Sequence, residues 1–152
     1  MTRRQALCLA GVLAACGAPP PPPPTLSLAV AAGSDQNPDP QGRASPVAVH
    51  LYQLSDSSRF EQADVFALLE HEHETLGPDL LGSEMLLLAP GEKKTVEHPL
   101  KVGTHVLGVA VAFRDIDRAS WRAFAPVAAN GPSVLTLTIE QVSAKLESPK
   151  PS

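Results

Sequence analysis

The sequence predicts an all-β fold: a two-sheet antiparallel β-sandwich with one short inserted helix. Three observations lead there. Seven short runs either alternate apolar and polar residues or are apolar throughout, turn-forming residues separate them, and only one segment repeats at helical spacing. The chain of 152 residues has room for one domain with tails, not for two full-sized domains.

The first segment is an address. Arg3 and Arg4 form a positive start, and residues 6–15 are uncharged and mostly apolar. Ten such residues fall short of the roughly 20 needed to span a bilayer, so the segment reads as a signal peptide. It ends in Leu13-Ala14-Ala15-Cys16, which resembles the bacterial lipobox. That resemblance implies cleavage before Cys16, with lipid on its sulfur and then on the new amino terminus. Residues 1–15, including Cys8, would be lost, leaving no pair of cysteines for a disulfide. Gly17 rather than Asp after the cysteine resembles outer-membrane sorting. Thr2-Arg3-Arg4-Gln5-Ala6-Leu7 is faintly similar to a twin-arginine signal, and both export routes stay open. Several acyl chains, each gaining about 0.8 kcal/mol per buried CH₂, would hold the protein to a membrane without any inserted polypeptide.

Losing Arg3 and Arg4 takes the net charge from −4 to −6. An acidic body gains nothing by lying on an anionic membrane face. The six prolines of residues 19–24 supply a stiff spacer of roughly 19 Å in the polyproline II conformation. The folded body is expected at residues 25–146, after a lipidated cysteine and spacer at 16–24. Residues 147–152 read as a disordered tail.

Within that body the first strand starts at Thr25, with Leu26, Leu28 and Val30 on one face. Pro46 opens the second, where Val47, Val49 and Leu51 face inward and His50 and Tyr52 outward. Residues 85–88 form a short apolar strand ended by Pro90-Gly91. Residues 93–100 alternate weakly, and Pro99 suits an edge. Residues 104–113 are apolar on both faces, as in a central strand, and residues 120–127 set Trp121, Ala123 and Ala125 on one side. Residues 134–140 alternate strictly, with Leu135, Leu137 and Ile139 inward. Between the second and third strands, Ser58-x-x-Glu61 reads as a capping box. Phe60, Ala63, Phe66 and Ala67 follow at helical spacing, which predicts one helix of about ten residues.

Composition and motifs exclude several function classes. Six aromatic residues and an acidic balance argue against stacking bases or neutralising phosphates, so no nucleic acid is expected. Nor does any small-molecule substrate or cofactor suggest itself: there is no G-x-S-x-G and no phosphate-cradling glycine loop. The sole cysteine of the mature chain is committed to lipid. His71-Glu72-His73-Glu74 is the densest set of metal-type ligands, but His50, His98 and His105 lie scattered on other strands, so it reads as a solvated acidic loop. Arg114-Asp115-Ile116-Asp117-Arg118 reads as a charged hairpin turn. Catalysis is not expected.

The connection between the first two strands is long. Residues 31–45 occupy fifteen positions where a hairpin needs two to five, and they carry Asp35, Gln36, Asn37, Pro38, Asp39 and Arg43. Such a loop is either functional or a mobile surface segment.

Asn37-Pro38-Asp39, Gly42-Arg43, Pro46-Val47 and Leu51-Tyr52-Gln53-Leu54 come in succession, followed by Leu76-Gly77-Pro78-Asp79-Leu80-Leu81 and Leu88-Ala89-Pro90-Gly91-Glu92. Then come Val109-Ala110-Val111-Ala112-Phe113-Arg114-Asp115 and Ala119-Ser120-Trp121-Arg122. In this order and spacing, with the lipobox, they closely resemble the TssJ (SciN/VasD) lipoproteins of the type VI secretion system, over about residues 26–142. The resemblance implies a transthyretin-like sandwich with an added helix. It implies an outer-membrane lipoprotein, on the periplasmic face and acylated at Cys16, that anchors the secretion system's membrane complex. The partner it implies is the periplasmic C-terminal region of TssM, the IcmF-like subunit. The loop between the first two strands would make that contact, through Asp35, Gln36, Asn37, Pro38, Asp39 and Arg43. The alternative is a lipid-anchored periplasmic binding or envelope-stability domain on the same frame. Transthyretin-related hydrolases end in Tyr-Arg-Gly-Ser, whereas this chain ends Ser148-Pro149-Lys150-Pro151-Ser152.

Overall fold

A computed structural model describes residue 11 and residues 17–149; the rest of the leader, Cys16 and residues 150–152 lie outside the described residues. Among the described residues there are eight strands: β1 (Thr25–Ala32), β2 (Val47–Leu54), β3 (Leu80–Leu88), β4 (Lys93–Pro99), β5 (Val106–Val111), β6 (Arg122–Pro126), β7 (Pro132–Glu140) and β8 (Ser143–Glu147). They form two four-stranded sheets, in the orders β4-β1-β7-β8 and β3-β2-β5-β6. Every pairing is antiparallel except β1 with β7, which run parallel from Thr25↔Pro132 to Ala32↔Ile139.

The alternation in sequence becomes the core. Leu26, Leu28 and Val30 of β1 and Leu135, Leu137 and Ile139 of β7 are buried against Val47, Val49 and Leu51 of β2 and Leu107, Val109 and Val111 of β5. Each such side chain, fully removed from water, contributes about 1.5–3 kcal/mol.

β5 is apolar on both faces because its outer face is covered as well. Three short helices lie there: α1 (Ser58–Gln62), α2 (Val65–Glu70) and α3 (Glu72–Leu76). Their Phe60, Leu68 and Leu76 bury Tyr52, Leu54 and Ala110 in a second core. The Tyr52 hydroxyl donates to the Leu68 carbonyl at 3.1 Å, and burial pushes its pKa far above the ordinary tyrosine value. Gly108 permits the close approach. A Cβ there would sit about 3 Å from Leu54 and from the Phe60 ring.

Three features differ from the sequence reading. The single expected helix is broken, because Ala63 is extended (ψ 146°) and Asp64 caps a new helix through the Phe66 and Ala67 amides. The break resets the helical phase, so Val65 and Leu68 are buried while Phe66 is 54% exposed. The capping box does not form: Ser57, not Ser58, holds the N-cap position of α1, its side chain accepts no helix N–H, and its hydroxyl instead donates to the Glu61 carboxylate at 2.6 Å. Secondly, β8 is an eighth strand, and Glu147, read as the first residue of the tail, closes its ladder opposite Thr136. Only Ala144 and Leu146 mark its inward face, too short an alternation to stand out. Finally, β3 begins five residues earlier than its apolar run, since Gly82, Ser83 and Glu84 carry no strand signature.

A candidate docking loop at one end of the sandwich

The loop from β1 to β2 is fastened down. Gly33 turns the chain beneath Ile139, donating to its carbonyl at 2.7 Å; a Cβ at Gly33 would lie 2.8 Å from that same oxygen. Gln36 and Asn37 then point inward and are buried. The Gln36 amide donates to the carbonyls of Leu88 (2.9 Å) and Ser45 (3.3 Å), tying the loop to the end of β3. Asn37 adopts the left-handed conformation at φ 47°. Its side-chain nitrogen donates to the Pro46 carbonyl at 2.9 Å, while its side-chain oxygen accepts the Arg114 amide at 2.8 Å. Its own backbone N–H donates to Gln141 at 2.6 Å. One asparagine thus joins three connections: β1–β2, β5–β6 and β7–β8.

Beyond this fastening the chain turns outward. Asp39 accepts the backbone N–H groups of Gln41 and Arg43 on one carboxylate oxygen, both at 2.9 Å, and pairs with the Arg43 guanidinium on the other at 2.9 Å. The Arg43 N–H, aided by its guanidinium and the Gln41 N–H, holds the Asp39 carboxyl below the usual carboxylate range. Gly42, at φ 78°, supplies the positive backbone angle that closes this turn. Arg43 itself is largely exposed, so the ion pair contributes little to stability and serves to shape the loop.

The six residues singled out in the sequence therefore divide into two groups. Gln36 and Asn37 face the interior, whereas Asp35 and Arg43 are exposed and Pro38 and Asp39 half-buried at the surface. Beside them runs a groove of about 400 Å³ lined by Pro38, Asp39, Pro40, Arg114, Asp115 and Val142. Arg114 and Asp115 were read only as part of a hairpin turn. Their connection does join the antiparallel neighbours β5 and β6, through a single 3-10 turn at Ile116–Arg118, and Arg114 reaches back to Ser45 at 3.2 Å. The charge run was visible in the sequence; its packing against the first loop was not. Proline rings beside a carboxylate and a guanidinium suit a protein contact.

His71 and His73 sit at the start of α3, not in a loop. Among the described residues no group of three or more His, Cys, Asp or Glu is placed to hold a metal ion, and no helix is long and apolar enough to cross a membrane.

Comparison with solved structures gives a consistent picture. The T6SS lipoprotein TssJ1 from Pseudomonas aeruginosa is similar at 34% identity with a TM-score of 0.81, over 86% of this chain and 100% of that one. A chain from a structure described as a type VI membrane complex is 27% identical, with a TM-score of 0.70, over 83% of this chain and 98% of that one. A chain from a structure described as the T6SS protein TssM C-terminal domain (869–1107) from EAEC is 25% identical, with a TM-score of 0.68, over 80% and 99%. No curated protein matches. The sequence model of one family, described as type VI secretion lipoprotein, VasD, EvfM, TssJ, matches residues 24–142. This chain belongs to that family of type VI secretion lipoproteins.

Proposed function

We propose that this lipoprotein anchors the membrane complex of a type VI secretion system to the outer membrane, as a structural component and not an enzyme. Lipid on Cys16 fixes one end on the periplasmic face. The loop between β1 and β2 docks on the periplasmic C-terminal region of TssM, through Asp35, Pro38, Asp39 and Arg43, while Gln36 and Asn37 hold the loop in shape. The observation that carries this reading is the fastening of the loop. A fourteen-residue connection, residues 33–46, with two buried amides and a closed Asp39–Arg43 turn pays its ordering entropy on folding and not on binding. A loop left mobile for tolerance alone would need none of these bonds. The occurrence of similar chains in structures described as a type VI membrane complex and a TssM C-terminal domain supports the choice of partner.

The test keeps the two buried amides and the backbone N–H groups that Asp39 accepts, gives up the exposed Asp39–Arg43 ion pair, and alters the outer surface. Pro40→Arg with Arg43→Glu, in the full chain, is expected to weaken binding of the TssM periplasmic C-terminal region at least about tenfold by biolayer interferometry, the scale of losing one interface hot spot. Unchanged affinity in a variant with unchanged thermal stability overturns the loop assignment.

A further inference from the structure

The four sheet edges are not equally protected. β6 and β8 are five residues each, and the Ser120↔Ser143 bridge stitches them together, with Ser120 donating to Val142 and Ala144 to Ser120, both at 2.9 Å. β4 carries Lys93, Lys94 and Pro99, residues that discourage pairing with another chain. β3 has none of these. It is nine residues long, outermost in its sheet, and contains no lysine, arginine or proline. Its Met85 and Leu87 are 61% and 65% exposed, although each stands on a regular ladder opposite His50 and Ala48 of β2. An open edge with exposed apolar side chains is a template for an added strand.

Next to this edge lies a cleft of about 540 Å³ between β3 and the start of α3. Met85, Leu69 and the His50 ring form its apolar part; Glu70, Glu72, Glu74 and Glu84 contribute its charge, and no lysine or arginine lines it. The Ser83 hydroxyl donates to Glu72 at 2.6 Å, which fixes that carboxylate beside the strand. Burial holds the His50 imidazole below its ordinary pKa, so it does not offset the carboxylates at neutral pH.

We infer that β3 and this cleft form a second docking surface, which takes an extended, basic segment of another protein as an added strand. On the face of Met85 and Leu87 its side chains are apolar, with a lysine or arginine farther along to meet Glu72 and Glu74 beside Ser83; on the opposite face a second basic residue meets Glu84, which shares its face with Leu51 and pairs with His98 at 3.1 Å. A second copy of this chain fits poorly, because pairing β3 with itself brings the Glu84 carboxylates, and those of the flanking helices, toward their own equivalents. A metal ion fits poorly as well, since these carboxylates and histidines do not converge. The surface is separate from the β1–β2 loop and stands whether or not that loop binds TssM.

The probe is a fluorescein-labelled peptide, Lys-Lys-Val-Lys-Val-Lys-Lys, which sets valines between lysines on one face and lysines alone on the other; it is titrated with the full chain and read by anisotropy. Binding is expected. The triple variant Glu72→Gln, Glu74→Gln, Glu84→Gln should weaken it about tenfold, as loss of three exposed charge pairs implies. Backbone hydrogen exchange along β3 should slow in the complex, and a peptide with proline at alternate positions should not bind, having lost its ladder donors. Arg43→Glu should leave the affinity unchanged, which separates this surface from the loop. Equal binding of a glutamate–valine peptide, an unaltered affinity in the triple variant, or unchanged exchange in β3 would each overturn the inference.

Discussion

One buried amide fastens the loop on two sides. Asn37 supplies a donor to Pro46 and an acceptor to Arg114, both from a buried position and with its backbone in the left-handed region. Asparagine suits all three demands at once. Its short amide offers both polarities, and it tolerates positive φ better than any branched residue. Asn37→Ala should therefore cost about 3 kcal/mol, from two buried groups left without partners and a strained backbone. Asn37→Gly relieves the strain but not the lost bonds, and should recover about 1 kcal/mol of that loss. Urea unfolding of the two variants decides the point. If glycine is as damaging as alanine, backbone conformation plays no part in the choice of asparagine. Neighbouring Gln36 is a less complete solution: its amide nitrogen has two acceptors, whereas its oxygen is buried without a partner.

Single elements follow the same logic, in which one capping residue decides where a helix starts. α2 has only six residues, too few to be helical by propensity, and depends on Asp64 and on burial of Val65 and Leu68. Asp64→Ala should lower stability by about 1 kcal/mol, while Asp64→Asn, which can still accept the Phe66 and Ala67 amides, should cost appreciably less. Thermal melts would show an error if the two substitutions were equivalent. The Arg122 guanidinium helps close this junction by donating to the Ala63 carbonyl and lying 4.3 Å from the Trp121 ring centroid. The same element shows why sequence reading succeeded in places and stopped in others. β1 and β7 were legible because every second residue is buried in a two-sided ladder, and hydrophobicity then keeps a period of two. The break in the helix was not, since it depends on one extended residue whose neighbours look helical throughout. β3 was half legible, because its first residues face the helices and the solvent and not the main core. At the loop, the length and polar composition pointed to a site, but inward and outward positions cannot be separated there, where no periodicity exists. Gln36 and Asn37 have the polar character of contact residues and spend it on the loop's own backbone.

For the molecule as a whole, the route of a load is set by β1. The strand begins where the proline run ends and finishes where the β1–β2 loop begins, with eight residues, or about 26 Å, between them. It is paired on both sides, with β4 and with β7, so tension along it shears two ladders together and does not unzip one. The proline run is also shorter as a free rod than its composition implies. Pro24 is buried and accepts the Leu100 amide at 2.9 Å, and Pro22 accepts the Gly131 amide at 3.1 Å. Thr25 donates to Gly131 in turn at 3.0 Å, so the last three prolines are docked on the domain. Only residues 19–21 remain as rod, about 9 Å at the polyproline II rise. The two halves of the run should then respond differently to the same change. Replacing Pro22, Pro23 and Pro24 by Ser, Gly and Ser frees the unfolded chain while removing rings already in place, and should cost about 1–3 kcal/mol. The same replacement at Pro19, Pro20 and Pro21 should stay within about 0.5 kcal/mol, as these residues meet only solvent. Urea unfolding of the full chain, followed by Trp121 fluorescence, measures both. Equal losses in the two variants would mean that the whole run acts as one spacer and that β1 is not held at its start. A loss confined to the docked half means that β1 is held at its start from Pro22 onward, so that, with the anchoring and loop contact proposed above, load would enter the sandwich there and run along β1.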